Sequence, residues 1–320
     1  MIITQRFDPH ADVVEAALAR SSAQSFRIDI EDAHRFLFNW DSESQGVSLT
    51  SIGSDHGLTI NDAASCYYRR PVGAVGHPAL TGPSASFTAR EMQKFLEGIY
   101  CLPGLRWISS PVSLWNAGAK PGQLVIAKRL GLDIPRTAIT SNPGKAVKFA
   151  QALGTDMVVK PLDSGTLDVA SGSLEFSARR LTLFELVRDA SSISLAPTLL
   201  QEYIQKRSEV RVTVIGGDVH AVEFEPRDLE ETIDWSQLHS GLEYRVILLP
   251  EDLQTRIRKF VTWYGLEFSA LDFARSTSGD LIFLENNPNG AWYWLELETG
   301  LPLSDRMAEL LTRPRLAATC

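Results

Sequence analysis

The strongest constraint on this chain is a pair of apolar, strand-like runs near its C-terminal end. Leu266–Ala274 (LEFSALDFA) carries Asp272 in its interior, and Leu281–Leu295 (LIFLENNPNGAWYWL) runs into Glu285-Asn286-Asn287 before breaking at Pro288 and Gly290. The linker Arg275–Asp280 reads as a hairpin turn, with Ser278-Gly279 as a two-residue loop. In that register Thr277 pairs with Asp280, Asp272 stands opposite Glu285, and alternation places Asn287 on the Glu285 face. Two carboxylates opposed across a ladder repel. At about 4 Å the cost is roughly 1 kcal/mol in water and roughly 4 at an effective dielectric near 20. A divalent cation reverses the sign, and Asp, Glu and an amide oxygen are the hard ligands that Mg²⁺ takes. The alternative is a solvated hairpin with incidental acidic residues.

Composition limits the remaining options. With 320 residues the chain can bury a sizeable core and divides into two or three subdomains. A hydrophobic fraction of 44% with 22% charged residues is that of a soluble globular protein. The formal net charge of -8 argues against broad nucleic-acid binding. Charges within MIITQRFDPHADVVEA exclude a signal peptide, and no apolar run reaches the ~18–20 residues of a membrane span. Cys66, Cys101 and Cys320 are few and far apart, which points to a reducing, cytoplasmic setting without disulfides or a zinc site.

Along the chain, residues 1–115 read as an α/β unit. It holds a strand at Ile2-Ile3, a helix opened by Asp8-Pro9, strands at Ser25–Ile30 and Phe36–Trp40, and a helix over Ser84–Ile99. Residues 116–200 form a second unit. A helix follows Pro121, a segment runs to Ile139, a helix begins at Asn142-Pro143, and a short strand, MVVKP, ends in Lys160. The Gly/Ser/Thr/Asp-rich stretch 163–172 reads as a mobile loop. Residues 201–320 hold the strand Glu209–Ile215, a turn at Gly216-Gly217, the strand Val219–Phe224, a helix over Pro250–Tyr264 and the hairpin described above.

Three further positions carry chemistry. Lys160 at a strand end, beside a loop rich in backbone amides, suits a phosphate chain, though a lone surface lysine is the commoner meaning. In Glu209–Ile215 the valines Val210, Val212 and Val214 share one face, leaving Glu209, Arg211 and Thr213 on the other. There Arg211 can grip phosphate oxygens and Glu209 can accept from a sugar hydroxyl; a salt bridge on a solvated face is the alternative. Cys66–Pro71 (CYYRRP) is an aromatic-basic segment that reads at least as readily as an exposed strand end as it does as a binding site.

The order of these features, lysine, loop, Gln201-Glu202-Tyr203-Ile204, Glu209/Arg211, Asp272 and Glu285/Asn287, resembles the ATP-grasp superfamily. The narrower likeness rests on Asn116, Lys120 and Gln123-Leu124, on Gly131–Thr137 with Thr140–Pro143, and on Tyr68–Pro71. It rests also on Gln205-Lys206-Arg207, Asp234-Trp235 and Asn287–Trp292. Together these resemble the graspetide synthetases, the microviridin-type maturases of ribosomal peptides. The resemblance implies an α/β ATP-grasp fold with a Rossmann-like N-terminal domain (1–115), a central lid subdomain (116–200) and a C-terminal subdomain with the metal site (201–320).

It further implies that ATP and Mg²⁺ bind between subdomains. Lys120, Lys160 and Arg211 would meet phosphate, Gln201, Glu202, Tyr203 and Ile204 would meet adenine, and Glu209 the ribose. Asp272, Glu285 and Asn287 would hold the metal. The implied reaction joins Asp or Glu carboxylates to Thr/Ser hydroxyls or Lys amines of a ribosomal precursor peptide through an acyl phosphate, with a homodimer as the assembly. Asp163 is the candidate base, and Arg227 and Asp228, with Arg69 and Arg70, are candidate peptide contacts. Two departures stand out: Ser236 follows Asp234-Trp235 where the family carries Arg, a role that Arg227 could take, and Asn286 follows Glu285 where an aliphatic residue is usual. The rival readings are an amino-acid or dipeptide ligase of the glutathione-synthetase kind and a nucleotide-binding module without turnover.

Overall fold

The computed structural model describes residues 1–43, 46–53, 57–102, 104–163, 166–169, 172–226 and 241–313. The first part contains β1 (Ile2–Thr4), α1 (Pro9–Arg20), β2 (Arg27–Asp29), β3 (Phe36–Trp40), β4 (Val47–Ser51), β5 (Gly57–Thr59), β6 (Cys66–Tyr68), α2 (Gly82–Tyr100) and β7 (Trp107–Ile108). Strands β2-β1-β6-β7 form a parallel sheet, and β3-β4-β5 a small antiparallel one beside it. Asp8 caps α1, its carboxylate accepting from the His10 amide, and Pro9 occupies the first turn, where it forfeits no bond.

Next come α3 (Pro111–Gly118), α4 (Lys120–Arg129), β8 (Thr137–Thr140), α5 (Pro143–Leu153), β9 (Met157–Lys160), β10 (Thr166–Val169), β11 (Gly172–Glu175), β12 (Arg179–Leu181), α6 (Leu183–Arg188) and β13 (Thr198–Glu202). The sheet order is β12-β9-β13-β8. The stretch expected to be only a loop contains an antiparallel hairpin, with Leu167 of β10 opposite Leu174 of β11. Helix α3 was not expected. The boundary placed after residue 115 cuts α3, and the boundary placed after residue 200 cuts β13.

The last part holds β14 (Lys206–Ile215), β15 (Asp218–Pro226), β16 (Leu242–Ile247), α7 (Glu251–Trp263), β17 (Phe268–Ser276), β18 (Leu281–Asn287), α8 (Tyr293–Thr299) and α9 (Leu303–Thr312). They build an antiparallel sheet in the order β16-β15-β14-β17-β18. One face buries Val210, Val212, Val214, Leu271, Phe273 and Phe283 under α3, α4 and α7. Phe283 lies 5.4 Å from Phe260 and 5.6 Å from Phe273, centroid to centroid. Truncating such a ring to alanine costs about 3–5 kcal/mol. The other face is divided. At one end Ile215, Phe268 and Ala270 pack with α1, α8 and α9, and at the other end the sheet floors an open cleft. The outer edge of β18 is sealed by Asp133, whose carbonyl accepts from the Phe283 amide at 2.7 Å. Among the described residues no helix is long and apolar enough to cross a membrane.

Candidate active site

Asp272 stands opposite Glu285 in the β17–β18 ladder, as expected, but the turn that brings them there differs. Arg275 pairs with Leu281, and the Ser276 amide donates to Asp280 at 2.9 Å, so the loop is the three residues Thr277–Gly279 rather than Ser278-Gly279. Gly279 adopts φ +99°, a conformation open to glycine, which is why three residues close the turn. That turn shifts the ladder by one residue. A bulge between Phe283 and Glu285 shifts it back, so Leu284 and Glu285 both reach the cleft while Phe283 stays in the core. Asn287 follows on the cleft face. Asn286 turns away, buried, with its side-chain oxygen accepting from Ser269 Oγ.

The neighbouring elements bring cations to this row. On β14, Arg211 pairs with Asp272 across the ladder and its Nε lies 2.6 Å from Asp272 Oδ1. Helix α4 is locked to β18 because the Gln123 amide both donates to the Asn286 carbonyl (2.8 Å) and accepts from its N–H (2.9 Å). The first residue of that helix, Lys120, thereby sits 3.5 Å from Glu285 Oε2 and donates to the Pro161 carbonyl at 2.8 Å. Lys160, at the end of β9, faces the same space. Burial pushes the Glu285 carboxyl up, but Lys120, Lys160, the Asn287 amide and Arg211 together hold it below the ordinary carboxylate range.

Asn287 Nδ2 lies between the two carboxylates, 2.7 Å from Asp272 Oδ2 and 3.2 Å from Glu285 Oε1. Among the described residues there is no group of three or more His, Cys, Asp or Glu that could hold a metal. A cation here would rely on two carboxylates and the amide oxygen of Asn287. That donor set suits Mg²⁺, which keeps waters and phosphate oxygens for its remaining positions.

A cleft of about 300 Å³ opens over the row. Its walls bring together Lys120, Lys160, Asp163, Gln201, Glu202, Tyr203, Ile204, Glu209, Arg211, Asp272, Glu285 and Asn287. Gln201 is buried with Nε2 donating to Thr137 Oγ1 at 3.1 Å, and the amides of Glu202 and Tyr203 donate to the Arg136 and Asp156 carbonyls. Asp163 is exposed at the rim. Glu209 forms an ion pair with Lys206, a residue to which sequence reasoning gave no role. On a regular strand Lys206 would face away from Glu209. A register shift between Lys206 and Ser208 turns it onto the cleft face, and no alternation pattern could signal that.

The remaining candidates lie elsewhere. Arg69 is 1% exposed and its NH1 donates to the Asn289 carbonyl at 2.7 Å, so it belongs to the interior and not to an exposed docking surface; burial is affordable because the carboxylate of Asp8 is 3.8 Å from its Nε. Arg70 is exposed, with φ +42°. Arg227 and Asp228, with Asp234, Trp235 and Ser236, fall outside the described residues.

No family model matches the chain. The probable alpha-L-glutamate ligase of Serratia proteamaculans (strain 568) is 25% identical over 276 residues, spanning 80% of this chain and 87% of that protein. Among solved structures, the macrocyclase MdnC of Microcystis aeruginosa MRC, bound with its precursor peptide MdnA, superposes with a TM-score of 0.84 at 25% identity, over 97% of this chain and 98% of that one. This likeness supports a graspetide-type ATP-grasp ligase. A second ligase of this kind, the RiPP-associated ATP-grasp ligase of Chryseobacterium gregarium in complex with ADP and a leader and core peptide, has a TM-score of 0.87 at 23% identity, over 97% and 95% of the two chains. As an ATP-grasp ligase the chain is an ADP-forming enzyme.

Proposed function

We propose that this ATP-grasp ligase closes side-chain ester or amide crosslinks in a ribosomally made precursor peptide. The observation that carries the reading is the row Arg211–Asp272–Glu285–Asn287, ringed by Lys120 and Lys160, in the cleft of a chain whose fold resembles MdnC along nearly the whole of both chains. ATP binds in the cleft with its phosphates toward Lys120, Lys160 and Arg211, and Glu209 meets the ribose. Asp272, Glu285 and Asn287 would hold Mg²⁺, which when bound would supply neutralisation of phosphate charge.

A side-chain carboxylate of Asp or Glu in the peptide attacks the γ-phosphorus. The bond from that phosphorus to the bridging oxygen breaks, and ADP departs. A Thr or Ser hydroxyl, or a Lys amine, of the same peptide then adds to the acyl phosphate carbon and loses its proton. Phosphate leaves with the electron pair of the broken C–O bond. Asp163, at the rim, is the candidate acceptor of that proton. The chain's own contribution is positioning and charge neutralisation, with no covalent enzyme nucleophile.

The curated relative is an amino-acid ligase, which favours a second reading in which a free amino acid is joined to an acceptor. One experiment separates the two. Any short Thr/Ser- and Asp/Glu-rich peptide found encoded beside this chain is incubated with enzyme, ATP and Mg²⁺, and its mass is followed. Loss of one water per ring supports the macrocyclase. A gain of an amino-acid residue from added glutamate supports the ligase, and ATP turnover without change in either substrate overturns both.

A further inference from the structure

The loop after Asn287 is held by residues from the opposite end of the chain. His10, in the first turn of α1, is 9% exposed, and its Nε2 accepts from the Trp292 amide at 3.1 Å. That bond requires a lone pair on Nε2, so the ring proton sits on Nδ1, 3.2 Å from Asp8 Oδ1. The imidazole also meets the Trp292 indole edge-on, 5.3 Å between centroids. One step back in the loop, Arg211 NH1 donates to the Ala291 carbonyl at 3.2 Å, and Arg69 NH1 donates to the Asn289 carbonyl at 2.7 Å. Asn289 in turn donates through Nδ2 to the Tyr68 carbonyl at 3.3 Å.

Between these holds lies Gly290, where a Cβ would come within 2.9 Å of Ala270 Cβ and 3.0 Å of Asn287 Cβ. Ala270 is the ladder partner of Asn287, so the loop backbone lies directly against the last residue of the candidate metal row. Asp8, His10 and Arg69 are all buried, and none of them lines the cleft. A buried guanidinium and a buried carboxylate add little net stability. What His10 and Arg69 do is fix the backbone of a short loop from two sides, with Asp8 behind them.

We propose that His10, with Asp8 and Arg69 behind it, is a positioning residue for the metal seat. It fixes the loop 288–292, and through the packing of Gly290 on Ala270 and Asn287 it sets the orientation of the Asn287 side chain. The N-terminal unit is thereby part of the metal site without contributing a ligand. This inference rests on Asp272, Glu285 and Asn287 being the Mg²⁺ ligands, as proposed above.

The test measures Mn²⁺ binding to the full-length protein in the presence of ADP, by electron paramagnetic resonance, with no turnover required. Thermal melting is followed in parallel. His10→Ala removes the acceptor, whereas His10→Gln returns an oxygen near the place of Nε2. The expected result is Mn²⁺ affinity about tenfold weaker in His10→Ala and restored to within about threefold in His10→Gln. Arg69→Met, a second variant against misfolding of the first, weakens Mn²⁺ in the same direction. Unchanged Mn²⁺ affinity in the variants, or equal loss in His10→Ala and His10→Gln tracking a lowered melting temperature, overturns the inference while leaving the proposed function standing. Failure of the unaltered protein to bind Mn²⁺ with ADP overturns both.

Discussion

Asp272 and Glu285 face each other across the β17–β18 ladder with the Asn287 amide nitrogen between them, at 2.7 and 3.2 Å. Asp272 is also bound by Arg211 at 2.6 Å, and Glu285 has Lys120 at 3.5 Å. Cations from both neighbouring elements thus flank the pair. Asp272→Asn and Glu285→Gln are each expected to lower ATP turnover by about a hundredfold or more, since each removes a proposed metal ligand. Melting temperature should fall modestly in both, because each substitution leaves a cation, Arg211 or Lys120, without the carboxylate that neutralised it. Turnover at the unaltered rate in both variants would sink the assignment.

Lys206 and Glu209 form a pair whose side chains are 9% and 12% exposed. Removing one partner leaves the other charge stranded, a loss of about 3–5 kcal/mol in well-buried pairs. Lys206→Met is therefore expected to lower stability in urea titration and to raise the KM for ATP. The double variant Lys206→Met/Glu209→Leu regains stability but not nucleotide affinity. Recovery of both would separate Glu209 from nucleotide binding.

Gly279 holds φ +99° with open space where a Cβ would stand. Gly279→Ala should cost about 1–2 kcal/mol from backbone strain alone, with no clash to add to it. Chemical denaturation reads this directly. A neutral or stabilising result would mean that the turn relaxes into another form.

Burial lowers the pKa of His10 below its ordinary value, and Arg69 and Arg70 act in the same direction against Asp8. The unfolded chain therefore takes up a proton near pH 6.5 that the folded chain refuses until lower pH. The contribution of His10 to stability is complete above about pH 6.5 and is lost as pH falls toward the folded value. His220, also lowered chiefly by burial, adds a share with the same sign. Asp8 behaves separately. Burial raises it, but hydrogen bonds from His10 and Thr4 and the charge of Arg69 bring it down to about 2, so its share persists until strongly acid pH. Melting temperature should fall from about pH 7 to about pH 5, and less steeply in His10→Gln. Parallel pH profiles for the two proteins would remove His10 from this account.

Much of the site was legible because strands alternate. Val210, Val212 and Val214 on one face force Glu209 and Arg211 onto the other, and both line the cleft. The pairing of Asp272 with Glu285 was reached through a turn that proved different, with a later bulge cancelling the error. Lys206 stayed hidden because a bulge overrides the period on which sequence reading depends. Arg69 stayed hidden for another reason. Its burial depends on Asp8 and Asn289, partners far away in the chain, and nothing local to Tyr68–Pro71 announces them. Strand β16 and helix α3 went unread, the first lying at a sheet edge and the second a short helix of eight residues before Ala119.

The three-residue turn and the bulge at Leu284 are opposite displacements of a single ladder, and only their sum keeps Glu285 across from Asp272. Loop length and strand irregularity are consequently not independent variables in this part of the chain. A relative whose turn is one residue shorter can keep the carboxylates facing each other only by losing the bulge as well. In alignments of such ligases, gaps on the two sides of the β18 residues Ile282 and Phe283 should therefore occur in matched pairs, and a single unmatched gap there marks a chain whose candidate metal row is broken.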